Sequence, residues 1–327
     1  MALGFERAFV TGGSGFIGGR LLGRLREEGV AARALARSEA SASKVAGLGA
    51  EPVRGDLGDE PAMAAGAAGC DVAFHLAAHV AEWGTREEFE RGNVAGTRNA
   101  LEASRRAGVS RFVHCGTEAA ILAGQGLHDA DESEPLRPDS PALYSATKAE
   151  AEALVLAANG DGIETVAVRP RFVWGAGDTT LLPEIAAAVE DGKFAWVGGG
   201  AHRTSITHVD NVVEGLVGAA ESGRGGEAYF VTDGDPVVFR EFISELLRTR
   251  GIEAPDRNVP GWVASGLARG GELAWRLLPL RGSPPLTRFA LWAATRECTL
   301  DDSKARSELG YEPVRSREEG LAEMRSA

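Results

Sequence analysis

The sequence predicts an α/β fold, a doubly wound parallel sheet of the Rossmann type with a smaller, discontinuous C-terminal lobe. Three observations predict it. Apolar runs of strand length alternate with amphipathic stretches of helix length, a glycine-rich turn follows the first of these runs, and the alternation loosens after Arg169-Pro170. With 327 residues, 44% of them hydrophobic, the chain can bury a full core.

Taken in order, Ala8 to Thr11 reads as a strand, Gly18 to Glu28 as a helix and Ala31 to Ala36 as a second strand. A further strand closes at Gly55-Asp56-Leu57, and Val72 to Leu76 is the next. A helix near Glu87 to Arg106, a strand at Arg111 to Cys115, a helix at Tyr144 to Asn159 and a strand at Thr165 to Arg169 continue the rhythm. From about Gly175 the chain reads as loops and helices, with brief strand-like runs at Ile206 to Val209 and Ala228 to Thr232 that are expected to return to the sheet. Trp262 to Leu280 is rich in Trp and Leu, but Arg269, Glu272 and Arg276 interrupt it, and a membrane span needs about 20 apolar residues. It reads as a helical lid over an apolar pocket, with a helix lying on a membrane surface as the alternative.

Composition narrows the partners. A net charge of -12 with no basic cluster is repelled by nucleic acid and by anionic membranes, so no nucleic acid and no stable membrane insertion are expected. Cys70, Cys115 and Cys298 lie far apart and match neither a metal spacing nor an even disulfide set, which favours a reducing compartment. The glycine turn comes within a dozen residues of the start, leaving no room for a leader, and a cytoplasmic location is expected. The remaining partners are small molecules and a second copy of the chain.

Thr11-Gly12-Gly13-Ser14-Gly15-Phe16-Ile17-Gly18 lies between the first strand and its helix, and Gly12, Gly15 and Gly18 are spaced GxxGxxG. Gly12 permits the tight turn, Gly15 lets the backbone approach a pyrophosphate, and Gly18 allows the helix to pack closely on the sheet. Phe16 and Ile17 open the helix, whose free N–H groups and dipole favour an anion. Residues 1–174 with about 206–235 thus form a dinucleotide-binding domain, and 175–205 with about 236–327 a substrate lobe.

An NAD-specific fold usually places an acidic residue at the end of the second strand to hold the ribose 2′-hydroxyl. Here Ala36 stands there, followed by Arg37, with Ser38 and Lys44 nearby. A 2′-phosphate suits that set, so NADP(H) is favoured over NAD(H). Asp56, beside Leu57, is placed to accept from the adenine amino group, although an isolated Asp after a strand also serves as a helix cap.

Tyr144 and Lys148 form a YxxxK pair, which puts both side chains on one helix face. A phenol titrates near 10, and an ammonium together with an oxidised nicotinamide can supply the roughly 4 kcal/mol that bring it to neutral pH. The chain has four lysines, Lys44, Lys148, Lys193 and Lys304, so one at this spacing is less casual than in a lysine-rich protein. Thr117 follows a strand, where open α/β sheets hold their ligands, and can hold a substrate oxygen beside Tyr144; a turn cap is its other reading.

Together, Gly12-x-x-Gly15-x-x-Gly18, His75-Leu76-Ala77-Ala78, Asn93-Val94-x-Gly96-Thr97, Thr117, Tyr144-x-x-x-Lys148 and Arg169-Pro170 resemble the extended short-chain dehydrogenase/reductases. That group includes nucleotide-sugar epimerases, 3β-hydroxysteroid dehydrogenases and dihydroflavonol reductases. The match is close over about the first 175 residues and reaches loosely to Ile206-Thr207-His208-Val209-Asp210-Asn211. The resemblance implies Tyr144 as acid/base, Lys148 tuning it and bonding the nicotinamide ribose, and Thr117 polarising the carbonyl. It also implies Leu76, Ala77, Ala78, Asn93, Pro170 and Val173 around the cofactor, and a homodimer through helices near Glu87 to Arg106 and Tyr144 to Asn159. His75 and His79 imitate a metal pair but fall at a strand end, and no metal is expected.

Departures from the family narrow the chemistry. Family dehydratases follow the Thr with two acids, whereas here Ala119 follows Glu118; sugar-nucleotide enzymes often carry Arg six residues before Asp210, where this chain has Thr204, with Arg203 one further back. Arg37 and the apolar segment with Phe289 and Trp292 favour reduction of a hydrophobic ketone or aldehyde. The alternatives are a nucleotide-sugar epimerase using bound NAD and a non-catalytic NADP-binding sensor.

Overall fold

The computed structural model describes residues 3–278 and 280–326. The chain begins β1 (Arg7–Thr11), α1 (Phe16–Glu27), β2 (Ala31–Ala36), α2 (Glu39–Gly47), β3 (Glu51–Arg54), α3 (Glu60–Ala67) and β4 (Val72–His75). A short α4 (Arg86–Phe89) passes through a π-helical turn, Glu90–Ala95, into α5 (Gly96–Arg106). Then come β5 (Arg111–Cys115), β6 (Leu127–Ala130), α6 (Leu143–Ala157), β7 (Glu164–Pro170) and β8 (Val173–Trp174).

Seven strands form one parallel sheet. β12 (Ala228–Val231) completes the order β12-β7-β5-β4-β1-β2-β3. The order reverses between β1 and β4, where Thr11 lies opposite His75, and open sheets of this kind bind ligands beyond the carboxyl ends at that crevice. Both faces are covered. One buried cluster packs Leu21, Leu25 and Leu216 on Val10 and Phe74; the other sets Phe9 and Phe112 against Met63 and Leu101.

The second half is built from small pieces: α7 (Leu181–Glu190), β9 (Trp196–Val197), β10 (Arg203–Thr204), β11 (Thr207–His208) and α8 (Val209–Ser222) precede β12. After it come β13 (Val237–Val238), α9 (Phe239–Thr249), β14 (Asn258–Val259), α10 (Gly261–Leu277), α11 (Arg288–Thr295), β15 (Cys298–Leu300), α12 (Ser303–Leu309) and α13 (Arg317–Ser326). The run at Ala228 rejoins the large sheet, but the run at Ile206 does not: β11 pairs with β8 in a two-stranded ribbon. A four-stranded sheet, β13-β10-β15-β6, gathers strands too short and too mixed in pattern for the sequence to announce.

Candidate active site

The glycine turn is locked by its neighbours. Gly12 adopts φ +76, and a Cβ on it would lie 2.7 Å from the Ala77 nitrogen; a Cβ on Gly18 would lie 2.1 Å from the Gly12 carbonyl oxygen. No side chain but hydrogen fits at either position. Gly15 precedes α1 without a side-chain cap, so the first N–H groups of the helix, at Phe16 and Ile17, are offered to an outside acceptor. Leu76 donates its N–H to the Thr11 carbonyl at 3.2 Å, which brings Leu76, Ala77 and Ala78 against the turn. This bare cradle fits a dinucleotide pyrophosphate.

At the end of β2 the basic set separates. Arg37 is exposed at the carboxyl edge, and Arg54 at the end of β3 pairs with Glu39 at 3.2 Å. Ser38 is occupied as the N-cap of α2 in a capping box with Ser41, and Lys44 sits in the last turn of that helix, carried away from the edge. Arg37 and the α2 N-terminus capped by Ser38 thus share the carboxyl edge of the sheet. The Asp56 carboxylate accepts from the Gly58 N–H at 2.7 Å, the turn-capping alternative. Leu57 packs beneath Gly96, and its carbonyl accepts from Asn99 at 2.8 Å.

His75 is structural. Its Nδ1 lies 2.7 Å from the Thr11 hydroxyl and its Nε2 3.0 Å from that of Thr97, and burial, with Lys148 adding, lowers its pKa to about 3. Both nitrogens are taken, so it forms no metal pair with His79. Asn93, placed by the π-helical turn, accepts from the His79 N–H at 2.7 Å and donates to the Thr147 hydroxyl at 3.1 Å. Its amide braces α6 against the loop after β4.

Tyr144 and Lys148 lie one turn apart on α6, which packs against the short 3₁₀ turn Glu118–Ile121 after β5. Lys148 is buried and donates to the Cys115 carbonyl at 3.0 Å; burial lowers its pKa, against the influence of Glu152 one turn on. Glu152 is held by Arg169 at 2.5 Å, an ion pair buried on both sides. Burial, and then the nearby Glu118 carboxylate, push the Tyr144 phenol well above 10, with the Thr117 hydroxyl close by acting the other way.

Thr117 meets a competing demand. Its hydroxyl donates to Glu118 at 2.8 Å and accepts from the Ala119 N–H at 3.2 Å. Glu118 in turn pairs with Arg171 at 2.5 Å, and Arg171 donates to the Thr204 hydroxyl at 2.8 Å. Arg171 escaped sequence reasoning because a charged residue after a strand usually faces solvent, yet it is 2% exposed. Its neighbour Phe172 has φ +40, a conformation costly for a bulky residue, which turns the chain between Pro170 and Val173 at the site's edge.

Phe289 of α11 stands edge-on to Tyr144, centroids 5.2 Å apart, and closes the cleft from the second half of the chain. Trp83, Leu143, Glu272 and Arg276 complete that wall. The lid expectation needs correction: α10 borders the cleft through Glu272 and Arg276, while Trp262, Leu267, Leu273 and Leu277 face outward. The Cys115 thiol, pushed up to about 11 by burial, is no nucleophile at neutral pH.

The 3-beta hydroxysteroid dehydrogenase/isomerase family model matches residues 9–260. This chain belongs to that family. A Stigmatella aurantiaca protein named 4-hydroxy-2-methyl-3-oxo-4-farnesyl-3,4-dihydroquinoline-1-oxide ketoreductase is 49% identical over 98% of this chain and 96% of its own length. A 2-alkyl-3-oxoalkanoate reductase of Stenotrophomonas maltophilia is 38% identical over 98% and 99%. Among solved structures, a Streptomyces venezuelae dTDP-glucose 4,6-dehydratase with NAD bound is 25% identical, with a TM-score of 0.75 over 98% of this chain and 96% of that one. The family member described here is thus an oxidoreductase of the extended short-chain type acting at a C–OH or C=O carbon. No described helix is long and apolar enough to cross a membrane.

Proposed function

We propose that this protein reduces the ketone of a hydrophobic small molecule with NADPH, using Tyr144 as the proton donor. The observation that carries the reading is the Tyr144 phenol, half-buried beneath Phe289 and one helical turn from the buried Lys148. A phenol in that state keeps its proton at neutral pH and is ready to give it to a carbonyl oxygen. Bound nicotinamide would supply the hydride. Lys148, at the floor of the site, holds the ribose side, and the helix start at Gly15 to Gly18 holds the pyrophosphate.

Thr117 has one hydroxyl proton, which Glu118 accepts, so Tyr144 is the donor to substrate and Thr117 polarises the carbonyl only by turning from Glu118. Arg37 supports a preference for the 2′-phosphate. The two reductase relatives support a ketone carried on a long or branched apolar frame. The epimerase reading loses support at Thr204, which stands where sugar-nucleotide enzymes often carry Arg and is buried holding Arg171, with Arg203 exposed beside it. We further assign residues 1–174 and about 206–235 to cofactor binding and the rest to substrate binding. The described cysteines are all free and buried, which supports the cytoplasm, and we take the active species to be a homodimer.

Titration of nicotinamide fluorescence with NADPH and NADH, on the native chain and on Arg37→Ala, tests the cofactor. A preference for NADPH of about tenfold, or about 1.4 kcal/mol, that the variant loses is the expected result. Equal or tighter NADH binding would remove the 2′-phosphate assignment and bring the epimerase reading forward.

A further inference from the structure

We propose that α10 docks this protein on the surface of an anionic phospholipid bilayer. Among the described residues eight large apolar side chains are exposed, and six of them, Trp262, Leu267, Leu273, Leu277, Leu278 and Leu280, fall in one segment. Trp262 is 80% exposed and Leu277 73%. At 3.6 residues per turn, Trp262, Leu273 and Leu277 fall within an arc of about 60°. Ala264 and Ala268 face the other way, buried with Leu291 of α11. The helix is therefore anchored by one face and presents a second apolar face to solvent.

Charge identifies what that face fits. Residues 257–296 contain six arginines and a single acidic residue, Glu272, in a chain of net charge -12. Glu272 is nearly buried and bonded to Arg288 at 2.6 Å, so it offers solvent little negative charge. Arg269 borders the apolar arc, and Arg281 is exposed just after the helix. An isologous contact through this patch would bring two basic surfaces together, whereas anionic headgroups complement them. Trp and Leu on one face with Arg at its borders is how a helix lies in the headgroup boundary, its long basic side chains reaching outward. The average charge that argues against membranes conceals this segregation. The docking does not depend on which reaction the cleft performs.

Flotation of the purified full chain with vesicles tests it, comparing equal parts phosphatidylcholine and phosphatidylglycerol with phosphatidylcholine alone. The native chain is expected to float with the anionic vesicles about tenfold more than with the neutral ones. The pair Leu273→Asp and Leu277→Asp, at exposed positions that leave the melting temperature in place, abolishes flotation; Arg269→Glu with Arg281→Glu reduces it by a similar factor. Absence of flotation by the native chain overturns the proposal, as does flotation that both variant pairs retain. So does a native chain that stays unbound but self-associates in sedimentation velocity and becomes monomeric with the Leu→Asp pair, since the face is then covered by a second copy.

Discussion

In the proposed reaction Tyr144 gives up a proton, and its surroundings set the pH range over which it can. Burial and Glu118 hold the phenol above its ordinary value, and a reduced nicotinamide ring, being uncharged, adds nothing that lowers it. Ketone reduction should therefore stay level from neutral pH upward through about pH 10, where an ordinary phenol would already be half ionised. A stopped-flow pH profile that instead falls near neutrality would mean that the phenol is acidified when the cofactor binds. Arg171 makes a second prediction at this scale. Its pairing with Glu118 is closed from solvent, so Arg171→Met strands a buried carboxylate and should cost about 3 to 5 kcal/mol in urea unfolding. A loss below about 1 kcal/mol would show that water reaches the pair.

Among the elements, the turn into α1 offers a matched pair of substitutions. Gly18→Ala drives a methyl group into the Gly12 carbonyl and should raise the NADPH dissociation constant at least about tenfold, whereas Gly23→Ala in the same helix meets nothing within 4 Å and should stabilise by up to about 1 kcal/mol. Equal effects in titration and thermal melts would mean that the turn is not the cofactor cradle. This region was legible because its glycines, its strand and its helix are contiguous and each has a local signature. The roles of Ser38 and Lys44 were less legible, because spacing from Arg37 does not show that Ser38 caps α2 while Lys44 falls in its last turn. The run at Ile206 is apolar enough for the large sheet, but its partner is β8, brought near by the turn at Phe172.

Across the whole molecule, buried histidines tie stability to pH. His75 at about 3 and His208 at about 4 are lowered first by burial, and His114, with neither ring nitrogen hydrogen-bonded, lies well below its ordinary value. Each is neutral in the fold and charges near 6.5 when unfolded, so its contribution is present above about pH 6.5 and is lost as the pH falls, about 2 kcal/mol for His75 by pH 5. Asp233, raised to about 6 by burial, works the other way and offsets part of the loss. Urea unfolding should show stability declining from pH 7 to pH 5; a rise would place the histidines in contact with acids or water. The parallel sheet and the Tyr144–Lys148 helix were legible because periodicity and spacing encode them. The second half was not, because strands of two or three residues carry no period and the cleft wall at Trp83, Arg276 and Phe289 is assembled from distant parts of the chain.

Deuterium transfer tests the central claim most directly. NADPH deuterated at the reactive ring carbon, the purified chain and a 2-alkyl-3-oxo acid are combined, and the product is weighed by mass spectrometry. The account predicts a hydroxy product that has gained the label with stoichiometric NADPH oxidation, and a rate about 10²- to 10⁴-fold lower in Tyr144→Phe at an unchanged NADPH dissociation constant. Label transfer undiminished in Tyr144→Phe, or no net NADPH oxidation across a panel of apolar ketones while a sugar nucleotide is epimerised, would contradict it.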